Sequence, residues 1–404
     1  MVKGFIIYPT YKVVNNQAHI YLFGRLENGQ SFVTINKFQP YFFIKTHDLK
    51  KAEKLWKIPK TEQTPYTNFH KENVSKLTFH IPSEIPKARE VFQEENIDCY
   101  EAVIRFEYRF LIDKKIQGSI DIEGEYESND FIDRIYTEPK ISPINYSPRN
   151  LKILSLDIET SIDGKKLYCI SLYGENYKKS FIISNSQFKN TSSYSDESSL
   201  LEDFKKEIQK EDPDIITGWN VIDFDLDFLL KKYNQHELPF QIGRDNSQVK
   251  LRLQKGFFRD SKAEISGRVV LDGLALLKSS FIKVRDYKLD TVAQDILKQK
   301  KLIKQEDKGK IDELYKKNQQ YLLDYNQNDA QLVYDILKKS QTLELSIQRS
   351  ISTGMPLDRV SASIASFDSL YLKKARERNL VVPTGKFSEK PSPITGGFVM
   401  ESKP

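Results

Sequence analysis

The spacing of apolar positions changes along this chain, and the changes mark out its parts. From residue 1 to about 148, apolar residues come in short β-branched and aromatic runs: Phe5-Ile6-Ile7-Tyr8, Ala18 to Phe23, Ser31 to Ile35, and Pro40 to Ile44. Asn15-Asn16 and Glu27-Asn28-Gly29 fall between them as turn signals, so hairpin-linked strands are predicted. Helices are predicted near Asp48–Trp56 and Ser83–Glu95. This gives a β-rich N-terminal domain over 1–148, without a catalytic constellation. Pro139, Pro143 and Pro148 then cluster. Proline removes amide donors and holds its neighbour extended, which predicts a linker and a domain boundary at 148.

Between 149 and 340 the period alternates. Strand patterns at Ile153–Ile158, Leu167–Leu172, Ser180–Ser184, Ile215–Thr217 and Arg268–Leu271 are interleaved with helical ones at Ser198–Gln209, Leu226–Tyr233, Leu289–Leu297 and Gln319–Ser340. That is an α/β domain on a central sheet, and mixed α+β for the whole chain. The lysine-rich run Lys298–Lys317 is broken by Glu306, Asp307, Asp312 and Glu313, so it reads as a solvated helix or loop, with DNA contact as the alternative. One helical stretch is predicted over 341–378. Proline and glycine dominate 379–404, and the chain stops in what reads as a loop, as a truncation or a split gene would.

Composition narrows the class. At 404 residues the chain exceeds the usual size of a single core. No apolar run reaches the roughly 18–20 residues of a membrane helix, and the apolar N-terminus is too short for a signal peptide. Cys99 and Cys169 are the only cysteines, which excludes a disulfide framework and favours a reducing compartment. Without a histidine cluster they do not make a zinc site. The net charge of +6 permits a polyanionic partner without demanding one.

Three acidic segments carry the chemistry. Asp157 and Glu159 lie two apart on an apolar strand, so they project from one face. Adjacent carboxylates repel in a dry core unless a cation joins them; two acids at a solvated strand end are the alternative. Asp225 follows Gly218-Trp219-Asn220 and Phe224 at a predicted helix start, where a helix dipole would also favour it. Tyr325 and Asp329 are one helical turn apart and share a face, as many surface pairs do. Together they form an all-oxygen set suited to Mg2+ or Mn2+ rather than zinc. Two such ions, about 3.5–4 Å apart, stabilise the attacking and leaving oxygens of an in-line displacement at phosphorus. On this reading Asp157 bridges both ions. Glu159 and Asp329 hold the ion that activates water, Asp225 acts on the second partly through its waters, and Tyr325 orients the attacking water. Asn220, able to donate to phosphate or sugar, and Phe224, able to stack on a base, are candidate DNA contacts together with Thr160.

These three segments resemble the three exonuclease motifs of the family B DNA polymerases, with the tyrosine variant of the third, and the likeness is nearest to the bacterial polymerase II branch. Asp212-Pro213-Asp214-Ile215-Ile216, Gly243-Arg244-Asp245-Asn246-Ser247, Leu289-Asp290-Thr291-Val292-Ala293 and Gly396-Gly397-Phe398-Val399-Met400 add to it. The resemblance implies a ribonuclease H-like 3′–5′ exonuclease domain beside a β-rich N-terminal domain. It also implies that 341–378 returns to that domain and that 379–404 begins a palm domain. Ser369-Leu370-Tyr371 is followed by Leu372 rather than proline, so it is not the palm motif, and no Asp-Thr-Asp occurs. Proofreading hydrolysis of DNA to nucleoside monophosphates is therefore expected, without a polymerase site in this chain. The expected partners are a single-stranded 3′ end or primer–template, a C-terminal polymerase portion and a sliding clamp, with no membrane. The expected location is cytoplasmic and bacterial, at the nucleoid. A non-catalytic DNA-binding module and an exonuclease acting on RNA are the competing readings.

Overall fold

The computed structural model describes residues 1–254, 261–298 and 310–385. The Gly396-Gly397 segment lies outside them, as does 299–309 of the lysine-rich run. The chain divides into two compact units: Met1–Phe38 with Phe106–Lys373, and Gln39–Arg105 with the chain from Lys374 on. The boundary expected at residue 148 falls inside the first unit.

The first unit contains two large sheets. One opens with the antiparallel meander Val2–Val14, Gln17–Leu26, Ser31–Lys37. Asn15 and Asn16 both take left-handed φ, 49° and 58°, which is the twist a two-residue hairpin turn requires. Ser119–Glu123 and then Lys140–Pro143 extend the sheet on one side, and Ile132–Thr137 and Glu127–Asn129 on the other. The stretch predicted as linker is thus partly an edge strand. Pro143 ends it, where a missing amide donor costs the ladder little.

The second sheet is ribonuclease H-like. Ile153–Thr160 lies in the middle, antiparallel to Leu167–Gly174, which is antiparallel to Tyr177–Ile183. On its other side Ile215–Thr217 and Val269–Val270 follow in parallel, and Thr191–Tyr194 adds an outer edge. One face buries Leu154, Leu156 and Ile158 against Leu200, Phe204 and Ile208 of helix Glu197–Glu211 and Leu229 and Tyr233 of helix Asp227–Gln235. The opposite face meets the long helix Gln319–Ser340, whose Leu332, Val333, Ile336 and Leu337 pack on Ile215, Val269 and Leu271.

The same apolar cluster holds Phe5 and Ile7 of the first strand together with Leu343 and Leu357. A buried ion network also joins the two sheets. Arg25 and Arg244 contact both Asp212 and Asp214, and Arg268 contacts Asp212. The helical stretch expected over 341–378 consists of two α-helices, Thr342–Thr353 and Ser363–Glu377. Gly354, at φ 72°, and Pro356 end the first. The end of the lysine-rich run is more than a solvated segment. Within helix Ile311–Lys317, Ile311 is buried and Tyr315 stacks on Tyr168 at 3.8 Å.

The second unit runs strand, helix, strand, strand, helix, strand, in the sheet order Lys60–Thr67, Asn73–Thr78, Tyr41–Lys45, Cys99–Tyr100. Phe42, Ile44 and Leu77 pack on Ala52, Ala88 and Phe92 of helices Leu49–Leu55 and Glu84–Glu94. The opposite face carries Phe43 and Tyr66, capped by the Arg376 guanidinium.

Candidate active site

Alternation along Ile153–Thr160 sorts its side chains between two environments. Leu154, Leu156 and Ile158 enter the apolar core, while Asp157 turns to the long helix and accepts a hydrogen bond from the Asn326 amide at 2.7 Å. Asp157, Glu159 and Asp329 each present a carboxylate oxygen within 4.8 Å of the others. Asp329 is buried, and the two strand acids are half-buried. Three carboxylates this close repel strongly when ionised.

Tyr325 lies one turn before Asp329 and is 4% exposed. Burial raises its phenol well above the usual tyrosine range, and the charges of Asp329, Glu159 and Asp157 together with the hydrogen bond to Asp329 raise it further. The phenol therefore stays protonated and acts as a donor.

Beside Glu159 the neighbouring strand bulges: Glu159 pairs with Cys169 and Thr160 with Leu167, leaving Tyr168 between them. Its hydroxyl donates to Asp312 at 3.0 Å, and Asp312 also accepts the Ile162 amide at 3.1 Å. This contact fixes the chain just past the strand acids.

Asp225 does not open a helix as predicted. Ile222–Leu226 forms a wider turn, in which the Leu226 amide donates to Val221 at 2.8 Å, and the α-helix starts at Asp227. The extra residue turns Asp225 inward, to 1% exposure, and leaves Phe224 outward at 47%. Asp225 Oδ1 accepts the Ile158 amide at 3.0 Å, so helix capping is not its role. The reason lies in the sheet. Ile153–Thr160 pairs with Ile215–Thr217 only through Ser155, so the amide of Ile158 needs another acceptor. Burial pushes the Asp225 carboxyl well up; the Ile158 amide opposes this, and Asp272 and Glu159 add to it. Asp225 is outside the set of three converging carboxylates.

Asp272 escaped the sequence reading. It caps helix Gly273–Lys278 through the Ala275 amide at 3.1 Å and also takes the amides of Val221 and Ile222. Asp272-Gly273 did carry a capping signal, but its reach to the Asp225 turn follows only from tertiary packing. Asn326 was likewise passed over, although it lies within the third motif. Gly218 begins the segment leading to Asp225. A Cβ there would sit 2.5 Å from the Leu156 carbonyl oxygen and 2.8 Å from Val221 Cβ, so only glycine permits this approach.

Of the candidate DNA contacts, Phe224 is open to solvent. Asn220 is half-buried with φ 62°, and its carbonyl accepts the Phe224 amide at 3.1 Å. Thr160 ends its strand, and its hydroxyl donates to the Ser161 carbonyl at 3.2 Å.

The acidic oxygen set fits a hard divalent cation. No described helix is long and apolar enough to cross a membrane.

Residues 97–292 match the exonuclease domain of DNA polymerase family B. That span contains the first two acidic segments, while Tyr325 and Asp329 lie beyond it. DNA polymerase II of Escherichia coli strain K12 is 29% identical over 420 residues, covering 99% of this chain and 52% of that protein. A DNA polymerase of Archaeoglobus fulgidus is 27% identical over 423 residues, with 99% and 51% covered. The fold superposes on the family B DNA polymerase from the hyperthermophilic archaeon Pyrobaculum calidifontis with a TM-score of 0.79, at 20% identity, over the whole chain and 54% of that one. The chain thus spans about half the length of these relatives. By the match over 97–292 and by these relatives, the chain is similar to the exonuclease-bearing half of family B DNA polymerases.

Proposed function

We propose that the chain is the proofreading part of a DNA polymerase and hydrolyses DNA from the 3′ end, releasing nucleoside monophosphates. The observation that carries this is the convergence of Asp157, Glu159 and Asp329 oxygens within 4.8 Å, on a sheet face open enough to leave two of them half-buried. Asp157, Glu159 and Asp329 would hold a Mg2+ or Mn2+ ion, and Asp225 would help to hold a second. Such ions supply Lewis acidity and a nucleophile at neutral pH.

The protein groups do the rest. The Tyr325 phenol stays protonated beside Asp329 and can orient a water for attack on the terminal phosphodiester. Phe224, projecting beside the turn that buries Asp225, offers a face on which the terminal base stacks. Asn220 and Thr160 would complete the contact to the strand.

Its relatives are DNA polymerases, so the whole protein is proposed to synthesise DNA and to bind primer–template, with this chain removing misinserted nucleotides. A C-terminal polymerase portion and a sliding clamp are its proposed partners, and the bacterial cytoplasm, at the nucleoid, its proposed location.

The test is hydrolysis of 5′-labelled single-stranded DNA with Mg2+ by the chain and by its Asp157→Ala/Glu159→Ala variant. Ladder shortening from the 3′ end by the unchanged chain alone supports the proposal. Equal cleavage by both, or by neither, rejects it, the latter outcome leaving a DNA-binding module. Preference for an RNA strand assigns the activity to RNA instead.

A further inference from the structure

Asn326 sits on helix Gln319–Ser340 between Tyr325 and Asp329, and its side chain is fully buried. Its Nδ2 donates to Asp157 Oδ2 at 2.7 Å. A carboxylate only accepts, so this contact fixes which way round the amide stands. The other end of the amide, Oδ1, is buried with no hydrogen-bond partner among the described residues. A side chain kept for packing alone would be apolar here, or would bond at both ends. Asn326 instead gives up one end to serve Asp157 with the other.

We infer that Asn326 is a positioning residue: its amide sets the rotation of the Asp157 carboxylate, so that the lone pairs of that acid are aimed before a divalent ion arrives. This inference rests on the exonuclease reading above and adds a residue to it. Helix Gln319–Ser340 then prepares the site twice. Tyr325 hydrogen-bonds Asp329 on the helix itself, and Asn326 reaches across to the strand. Outer hydrogen bonds of this kind are worth about 10–100-fold in metal affinity or activity.

The inference predicts a specific split. In Asn326→Leu the unbonded buried oxygen disappears together with the donor, so the fold should not suffer. In Asn326→Ala the donor disappears without added bulk. Both variants should bind Mn2+ about 10–100-fold more weakly, read by calorimetric titration of the whole chain without DNA. In single-turnover cleavage, the Mn2+ concentration for half-maximal rate should rise by a similar factor, with the rate at saturating Mn2+ changing less. The thermal midpoint of Asn326→Leu should be unchanged or higher; should leucine prevent folding, Asn326→Ala carries the same titration. Unaltered Mn2+ affinity in a folded variant, whatever its thermal midpoint, overturns the positioning role alone. A starting protein that neither binds Mn2+ nor cleaves DNA overturns the exonuclease reading and this inference with it.

Discussion

The Ile158 amide donates a hydrogen bond of 3.0 Å to the Asp225 carboxyl, and Ile158 is the residue that separates Asp157 from Glu159. The acid of the second segment is therefore built into the strand that carries the first. Two roles, acceptor and charge, can be separated by substitution. Asparagine keeps an acceptor for the amide, whereas alanine leaves a buried donor open at a cost of about 1–3 kcal/mol. We expect Asp225→Asn to unfold in urea at or above the starting midpoint and Asp225→Ala at a clearly lower one, with hydrolysis greatly reduced in both. Equal stability of the two variants would show that the bond to Ile158 contributes nothing.

Tyr325 is tied to Asp329 along one helical turn, and burial keeps its hydroxyl protonated. Phenylalanine preserves the packing and removes the donor. Tyr325→Phe should lower kcat by about 10²-fold, the lower end for a positioned proton-handling group, with KM for DNA little changed. Its stability should shift by no more than about 1 kcal/mol. A rise in KM at constant kcat would assign the phenol to substrate binding instead.

Much of this architecture could be read from residue order, and the exceptions have identifiable causes. Leu289–Leu297 and Gln319–Ser340 match their predicted bounds because apolar spacing marks them, and in the second Asn318 also caps the start through the Tyr321 amide. The strand acids and the Tyr325–Asp329 pair were legible because their periodicity is local. The helix start expected at Asp225 is instead a wider turn, with the α-helix beginning at Asp227. A turn one residue wider than an α-helix leaves no signature in the hydrophobic pattern. Lys140–Pro143 was hidden because an edge strand tolerates proline. The links from Asn326 to Asp157 and from Arg25 to Asp214 span 169 and 189 residues, and no local pattern encodes a pairing at that distance.

Phe224 is 47% exposed although both of its chain neighbours are fixed in the Asp225 turn. An open ring on a backbone held in that turn can stack on a base. Base stacking on an aromatic side chain is worth about 1–3 kcal/mol. Phe224→Ala should therefore raise KM for single-stranded DNA about 5–150-fold, with a nearly unchanged urea midpoint. Phe224→Tyr should retain affinity. Because stacking carries no charge, the salt dependence of binding should be the same in all three proteins. Unaltered KM in the alanine variant would remove Phe224 from the DNA contact.

Asp212 gives the fold a defined dependence on acid. Burial alone would raise its carboxyl, but Arg244, Arg268 and Arg25 outweigh burial and hold it at about 2. In the unfolded chain the same group titrates at about 3.9. A carboxyl depressed on folding stabilises the native state fully above the unfolded value and loses that contribution as pH falls toward the folded one. Between pH 7 and pH 3 the loss should be about 1 kcal/mol, nearly all of it below pH 5. In Asp212→Asn the titration is gone, and the surrounding guanidinium groups lose a partner at a cost of about 3–5 kcal/mol at neutral pH. Urea midpoints of the two proteins should run parallel from pH 7 to pH 5 and then converge as pH approaches 3. A gap that stays constant over the whole range would mean that folding does not depress the Asp212 carboxyl, and that the three arginines are balanced in another way.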